Sequence, residues 1–183
     1  MIVNFILDFL LLLGGVGGLL IGLRRGFVRM LLSTATLLLA MAFAALMAPP
    51  LVGIFVARSG SQAETPIGVV FAALLAGLYA LLEVLLRRTF PNTRIAMLGV
   101  ADNALGFVFA VPWTLLALSL IVMLAGFVSY AVYGATGAGF IGDWYSTSNL
   151  VAFLQDFFEI PLNLMRFLFP SGLPQPLAFF AAN

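Results

Sequence analysis

The stretch from Asn103 to Gly142, NALGFVFAVPWTLLALSLIVMLAGFVSYAVYGATGAGFIG, runs for forty residues without a charged side chain. Hydrocarbon about 30 Å thick needs only about 20 helical residues to cross it, so this segment is longer and greasier than a small soluble domain can accommodate. The rest of the chain agrees. Of 183 residues, 63% are hydrophobic and 8% charged, and the mean hydropathy is +1.18; soluble domains carry about 25% charge. This is the composition of a membrane protein.

Working outward, four crossings emerge. Ile2 to Leu23 is broken only by Asn4 and Asp8, and Arg24-Arg25 follows directly, so it reads as a span rather than a cleavable signal. Met30 to about Ala48 is the second, with Pro49-Pro50 ending or sharply bending it. The third takes Thr65 as N-cap and Pro66 at the first helical position, and runs to Leu86. The fourth starts after Asp102, read as its N-cap, and ends near Tyr133. It exceeds a bilayer core, which predicts tilt or a break at Pro112.

Beyond Tyr133 comes a glycine-rich outer linker, Gly134 to Gly142, then a helix from Asn149 to Ile160 that Pro161 stops or kinks. Gln155, Asp156 and Glu159 share one face of it, with Leu150, Val151, Phe153, Leu154, Phe157 and Phe158 over much of the rest. The pattern predicts an interfacial helix over the outer ends of the bundle, anchored by Trp144; a re-entrant segment is the alternative. The expected fold is an all-α membrane protein with four transmembrane helices plus an outer interfacial amphipathic helix. Residues 1–133 form the transmembrane domain, and 134–183 form the linker and outer helix.

Arginine placement predicts the orientation. The first and third connections hold Arg24, Arg25, Arg29, Arg87, Arg88 and Arg94, whereas the other side holds only Arg58 and Arg166. The first and third connections are therefore expected in the cytoplasm, with both termini outside.

The zeros exclude much chemistry. There is no His, no Cys and no Lys, so the usual ligands for zinc, haem and iron–sulfur clusters are missing. A Schiff-base lysine and a P-loop lysine are missing too. No nucleophile–base pair stands out. The expectation is no enzyme and no cofactor, and a net charge of +1 gives no reason to expect nucleic acid.

Two kinds of residue are left as candidates. Gly14, Gly18, Gly22 and Gly26 recur every four residues, and Gly106, Ala110 and Thr114 repeat the pattern. Such ridges let membrane helices approach closely, and these two are expected to touch each other, ahead of a homodimer seam. The intramembrane ionisable residues are Asp8 and Glu83. Asp8 is expected to accept a hydrogen bond from a neighbouring helix. Glu83 is expected to pair with Arg87 one turn on and to snorkel towards the interface. Trp113 is assigned to packing at Pro112, and Trp144, Tyr145, Tyr130 and Tyr133 to an interfacial aromatic belt.

At Leu23-Arg-Arg-Gly-Phe-Val-Arg29 the sequence resembles the colicin V production protein family, through Arg25, Gly26 and Phe27. Asp102 and Gly106 resemble the family's opening of its last helix, and Trp144, Ser148 and Leu150 a cluster after it. Met30, Asn103 and the pair Trp113-Thr114 stand where the family carries Glu, Arg and Arg-Gly. The resemblance implies a small bacterial inner-membrane protein associated with colicin secretion and envelope homeostasis. Similar four-helix modules also anchor extracytoplasmic serine proteases. The expected function is a non-enzymatic scaffold or accessory subunit that binds the bilayer and other membrane proteins, with homo-oligomerisation left open. A small transporter or channel component is the alternative, to be favoured by a polar cavity lined by Asp8, Asn103 or Glu83.

Overall fold

A computed structural model describes residues 2–59, 64–91, 100–133, 140–174 and 176–178. Four long helices, α1 (Ile2–Arg25), α2 (Phe27–Ser59), α3 (Glu64–Thr89) and α4 (Val100–Tyr133), are followed by α5 (Phe140–Thr147) and α6 (Asn149–Leu168). Each of the first four contains a span long and apolar enough to cross a membrane, and no strand occurs among the described residues. The end that carries Arg25, Arg29 and Arg87 is called the basic end below.

Helix α4 is the hub. It packs along α1 on one side and against α2 on the other, while α2 also packs along α3; α1 and α3 share no extended interface. The α1–α4 seam rests on small residues. A methyl group added to Gly22 would meet the Ala110 side chain and lie 2.7 Å from the Gly106 carbonyl oxygen; one added to Gly106 would lie 2.6 Å from the Gly22 carbonyl oxygen. Gly18 faces Thr114 just as closely, and Gly14 meets Leu118 at 3.3 Å.

A second small-residue face, on α2, carries the other half of the bundle. Ala40, Ala44 and Ala48 recur every four residues and are fully buried with Met41 and Ala45, and Ile67, Phe71 and Leu75 of α3 share that core. Side chains four apart stack on one helix face, so this stripe was present in the sequence beside the glycines.

Several boundaries differ from expectation. Helix α2 continues through Pro49 and Pro50, and α6 through Pro161. The prolines remove backbone donors, but burial of Ala48, Val52, Pro161, Leu162 and Met165 on either side holds these helices against the bundle. Helix α4 is likewise unbroken at Pro112. Helix α3 begins at Glu64, so Thr65 lies inside it rather than before it, and α4 begins at Val100, ahead of the expected cap. Phe140 to Gly142, read as linker, already belongs to α5, and residues 134–139 lie outside the described residues.

Helix α6 packs mainly against α4. At about 100° per residue it presents three faces. Val151, Leu154, Phe158, Leu162 and Met165 are buried; Phe153, Ile160, Leu164 and Phe167 are apolar and exposed; Asp156, Glu159, Asn163 and Arg166 line a third, exposed edge. A helix with one side on protein, one in acyl chains and one in water has this division. Its level fits as well. With a rise of about 1.5 Å per residue, Asp8 stands roughly 25 Å above the basic end of α1 and Ser119 roughly 28 Å above that of α4. These are the levels at which α5 and α6 attach, close to a hydrocarbon thickness of about 30 Å.

Candidate functional site

The polar residues inside the bundle gather at two levels. At the basic end, α1 and α2 are joined by Gly26 alone, at φ +81°, a left-handed conformation that favours glycine. The Asp102 carboxylate sits directly against it. Asp102, 2% exposed, accepts a hydrogen bond from the Phe27 backbone N–H at 3.1 Å. It therefore caps α2, not its own helix, and places negative charge at an N-terminus where the unpaired amides attract it. The Phe27 and Phe109 rings meet edge to face, 4.6 Å apart. Arg25-Gly26-Phe27 and Asp102 with Gly106 thus form the two sides of a single joint.

Beside this joint lies the main charge cluster. Glu83 of α3 is buried rather than snorkelled. Its Oε1 accepts from Arg29 at 2.9 Å, and from Arg25 and Arg87 at 3.4 Å. Ser33 donates to Oε2 at 3.2 Å. The expected Arg87 pair is therefore the outermost of three, and sequence reading missed Arg25, Arg29 and Ser33. Arg29 and Ser33 share a face of α2 through i,i+4 spacing, but nothing local to α2 points to an acid fifty or more residues away. Met30, where the resemblance placed a Glu, is fully buried.

At the opposite level Asp8 of α1 holds the outer helices. Its Oδ1 accepts from the Trp144 indole N–H at 2.8 Å and from the Ser148 hydroxyl at 2.7 Å. Ser148 also caps α6 by accepting from the Val151 N–H at 3.2 Å. One carboxylate thus ties α1 to both α5 and α6. Trp144 is 4% exposed, so it does not stand in an interfacial belt; the side chains of Tyr130 and Tyr133 lie outside the described residues. The Tyr145 ring packs over Gly126, its hydroxyl meets the Met123 sulfur at 3.6 Å, and burial pushes its phenol above the usual range. Deeper in, the Ser119 hydroxyl donates to the Leu154 carbonyl at 2.8 Å, pinning α6 to α4.

Between the two levels the packing is largely apolar, with Thr36, Trp113 and Thr114 supplying polar groups. A lipid-side groove of about 250 Å³ runs between α1, α4 and the start of α6, lined by Leu11, Gly15, Leu19, Leu115, Leu118 and Leu150 among others. Asp8, Glu83 and Asn103 do not line it. The Trp113 indole N–H and the Thr114 hydroxyl are buried without hydrogen-bond partners; Tyr79 stands beside Trp113 without hydrogen-bond geometry. Among the described residues, no group of His, Cys, Asp and Glu has the makings of a metal site.

An all-α, multi-pass membrane protein whose charges join its own helices is the class these features define. The sequence model of the colicin V production protein family matches residues 7–159, and the chain belongs to that family. No curated protein and no solved structure matches it.

Proposed function

We propose that this protein is a non-enzymatic scaffold or accessory subunit of the bacterial inner membrane, whose basic end faces the cytoplasm. The observation that carries this reading is the use of its intramembrane acids. Asp8, Glu83 and Asp102 are each engaged by donors of the same chain, and the groove between α1, α4 and α6 is apolar and lined by none of them. A transporter spends such groups on a pathway for solute or protons; here they lock helices together. The polar edge of α6, with Asp156 and Glu159, supplies a water-facing rim for a partner on the outer side.

A photo-crosslinking residue placed at Glu159 in native membranes should give adducts of discrete mass, and D156R should abolish them. The same residue at Leu12, on the exposed side of α1, should give lipid adducts only. Identical patterns from both positions would remove the support for a partner at α6. Flux of a solute through proteoliposomes of the purified chain would point instead to transport.

Orientation has its own test. Single cysteines at Ser61 and Asn183 should react with an impermeant thiol reagent in intact cells, and one at Thr93 should not; all three positions lie outside the described residues. Labelling at Thr93 alone would invert the topology.

A further inference from the structure

We infer that the basic end binds the phosphate of an anionic phospholipid headgroup between Arg25 and Arg87, beside Glu83. Three guanidinium groups surround a single carboxylate there, and the short bond, 2.9 Å, goes to Arg29. Arg25 and Arg87 stand back at 3.4 Å on the same oxygen, and Ser33 occupies the other. Each guanidinium carries five N–H donors in a planar fork; even with the Tyr79 hydroxyl beside Arg25, the one shared carboxylate oxygen leaves donors of Arg25 and Arg87 for a further acceptor. Asp102, the other acid at this end, is directed to the Phe27 N–H. Three cations against one anion at the edge of a low-dielectric medium call for another anion.

Access separates the three arginines. The Arg29 side chain is 9% exposed, whereas those of Arg25 and Arg87 are 27% and 58% exposed. Both accessible arginines lie in the last turns of α1 and α3, at headgroup level. The apolar neighbours one turn towards the bilayer on the same faces are exposed: Ile21 on α1 and Val84 on α3. Since α1 and α3 share no extended interface, acyl chains can lie along these faces while the phosphate reaches both forks. That apolar approach is the reason to assign a lipid phosphate rather than a free one.

The test titrates the detergent-purified full chain with dioleoyl phosphatidylglycerol and, separately, with dioleoyl phosphatidylcholine, adding inorganic phosphate as competitor. Phosphatidylglycerol should bind saturably and at least tenfold more tightly than phosphatidylcholine, and millimolar inorganic phosphate should leave it bound. A hydrogen bond to a charged group contributes about tenfold or more, so R25Q/R87Q, which removes the guanidinium forks, should weaken it by about tenfold or more. R24Q/R88Q, which removes the same charge away from Glu83, should change it less than threefold. R25K/R87K keeps the charge without the fork and should fall between. Equal binding of both lipids overturns the proposal without any variant. Equal loss in the two double variants reduces it to diffuse surface charge, and displacement by inorganic phosphate reassigns the site to free phosphate.

Discussion

Replacing Glu83 by Leu should lower stability by about 3–5 kcal/mol, the usual effect of removing one partner from a buried ion pair. Arg29 is the reason. Its side chain is 9% exposed, and Glu83 is its charged partner at 2.9 Å; without the carboxylate, a cation stays buried where water cannot hydrate it. Arg25 and Arg87 are more exposed and can turn towards the surface. The variant E83L/R29M should therefore recover a substantial part of the loss, because replacing both partners by apolar groups is far milder than removing one. Thermal unfolding of the two variants in the same detergent checks this. If E83L alone melted with the native chain, the cluster would contribute nothing to holding α3 on α2.

Gly22 should give the other large effect, and here the sign is diagnostic. In an exposed helix interior, Gly to Ala stabilises by roughly 0.5–1 kcal/mol. At Gly17 nothing lies within 4 Å of an added methyl, so Gly17→Ala should be neutral or stabilising. At Gly22 the same methyl meets Ala110 and lies 2.7 Å from the Gly106 carbonyl oxygen. Gly22→Ala should therefore destabilise, and Gly22→Leu should cost about 1–3 kcal/mol or more, as overpacking does when backbone must move. Gly14→Ala should fall between, since its neighbour is the end of the Leu118 side chain at 3.3 Å. The ordering Gly17, Gly14, Gly22 in melting temperature tests the seam. An equal response at Gly17 and Gly22 would mean that α1 and α4 do not pack through it.

Gly26 shows how the two large effects meet. Its φ of +81° and the Asp102 carboxylate against it bar a side chain twice over. The same Asp102 caps α2 and fixes the angle at which α2 leaves the turn. That angle brings Arg29 to Glu83. The resemblance had grouped Arg25-Gly26-Phe27 and Asp102 as separate signatures; in three dimensions they are neighbours.

The division between sequence and tertiary structure follows from the range of the forces. Spans, their number and the amphipathic character of the first part of α6 were legible because hydropathy and helical periodicity are properties of consecutive residues, and the bilayer makes every crossing helical. The glycine spacing was legible for the same reason. The split of the apolar surface of α6 into buried and exposed faces was not. At Pro49, Pro50, Pro112 and Pro161 the helices continue where an end or break was one of the outcomes expected, because local chemistry says where a helix can break, while packing on its neighbours decides whether it does. The polar contacts were illegible for a related cause. Glu83 shows its Arg87 neighbour in the sequence, but Arg25, Arg29 and Ser33 come from other helices. Asp8 finds Trp144 and Ser148 far along the chain. A buried carboxylate must be satisfied, and the sequence states that requirement. Which donors meet it depends on how helices cross, and those crossings are set by the small-residue seams acting together, through contacts between segments that no local pattern encodes.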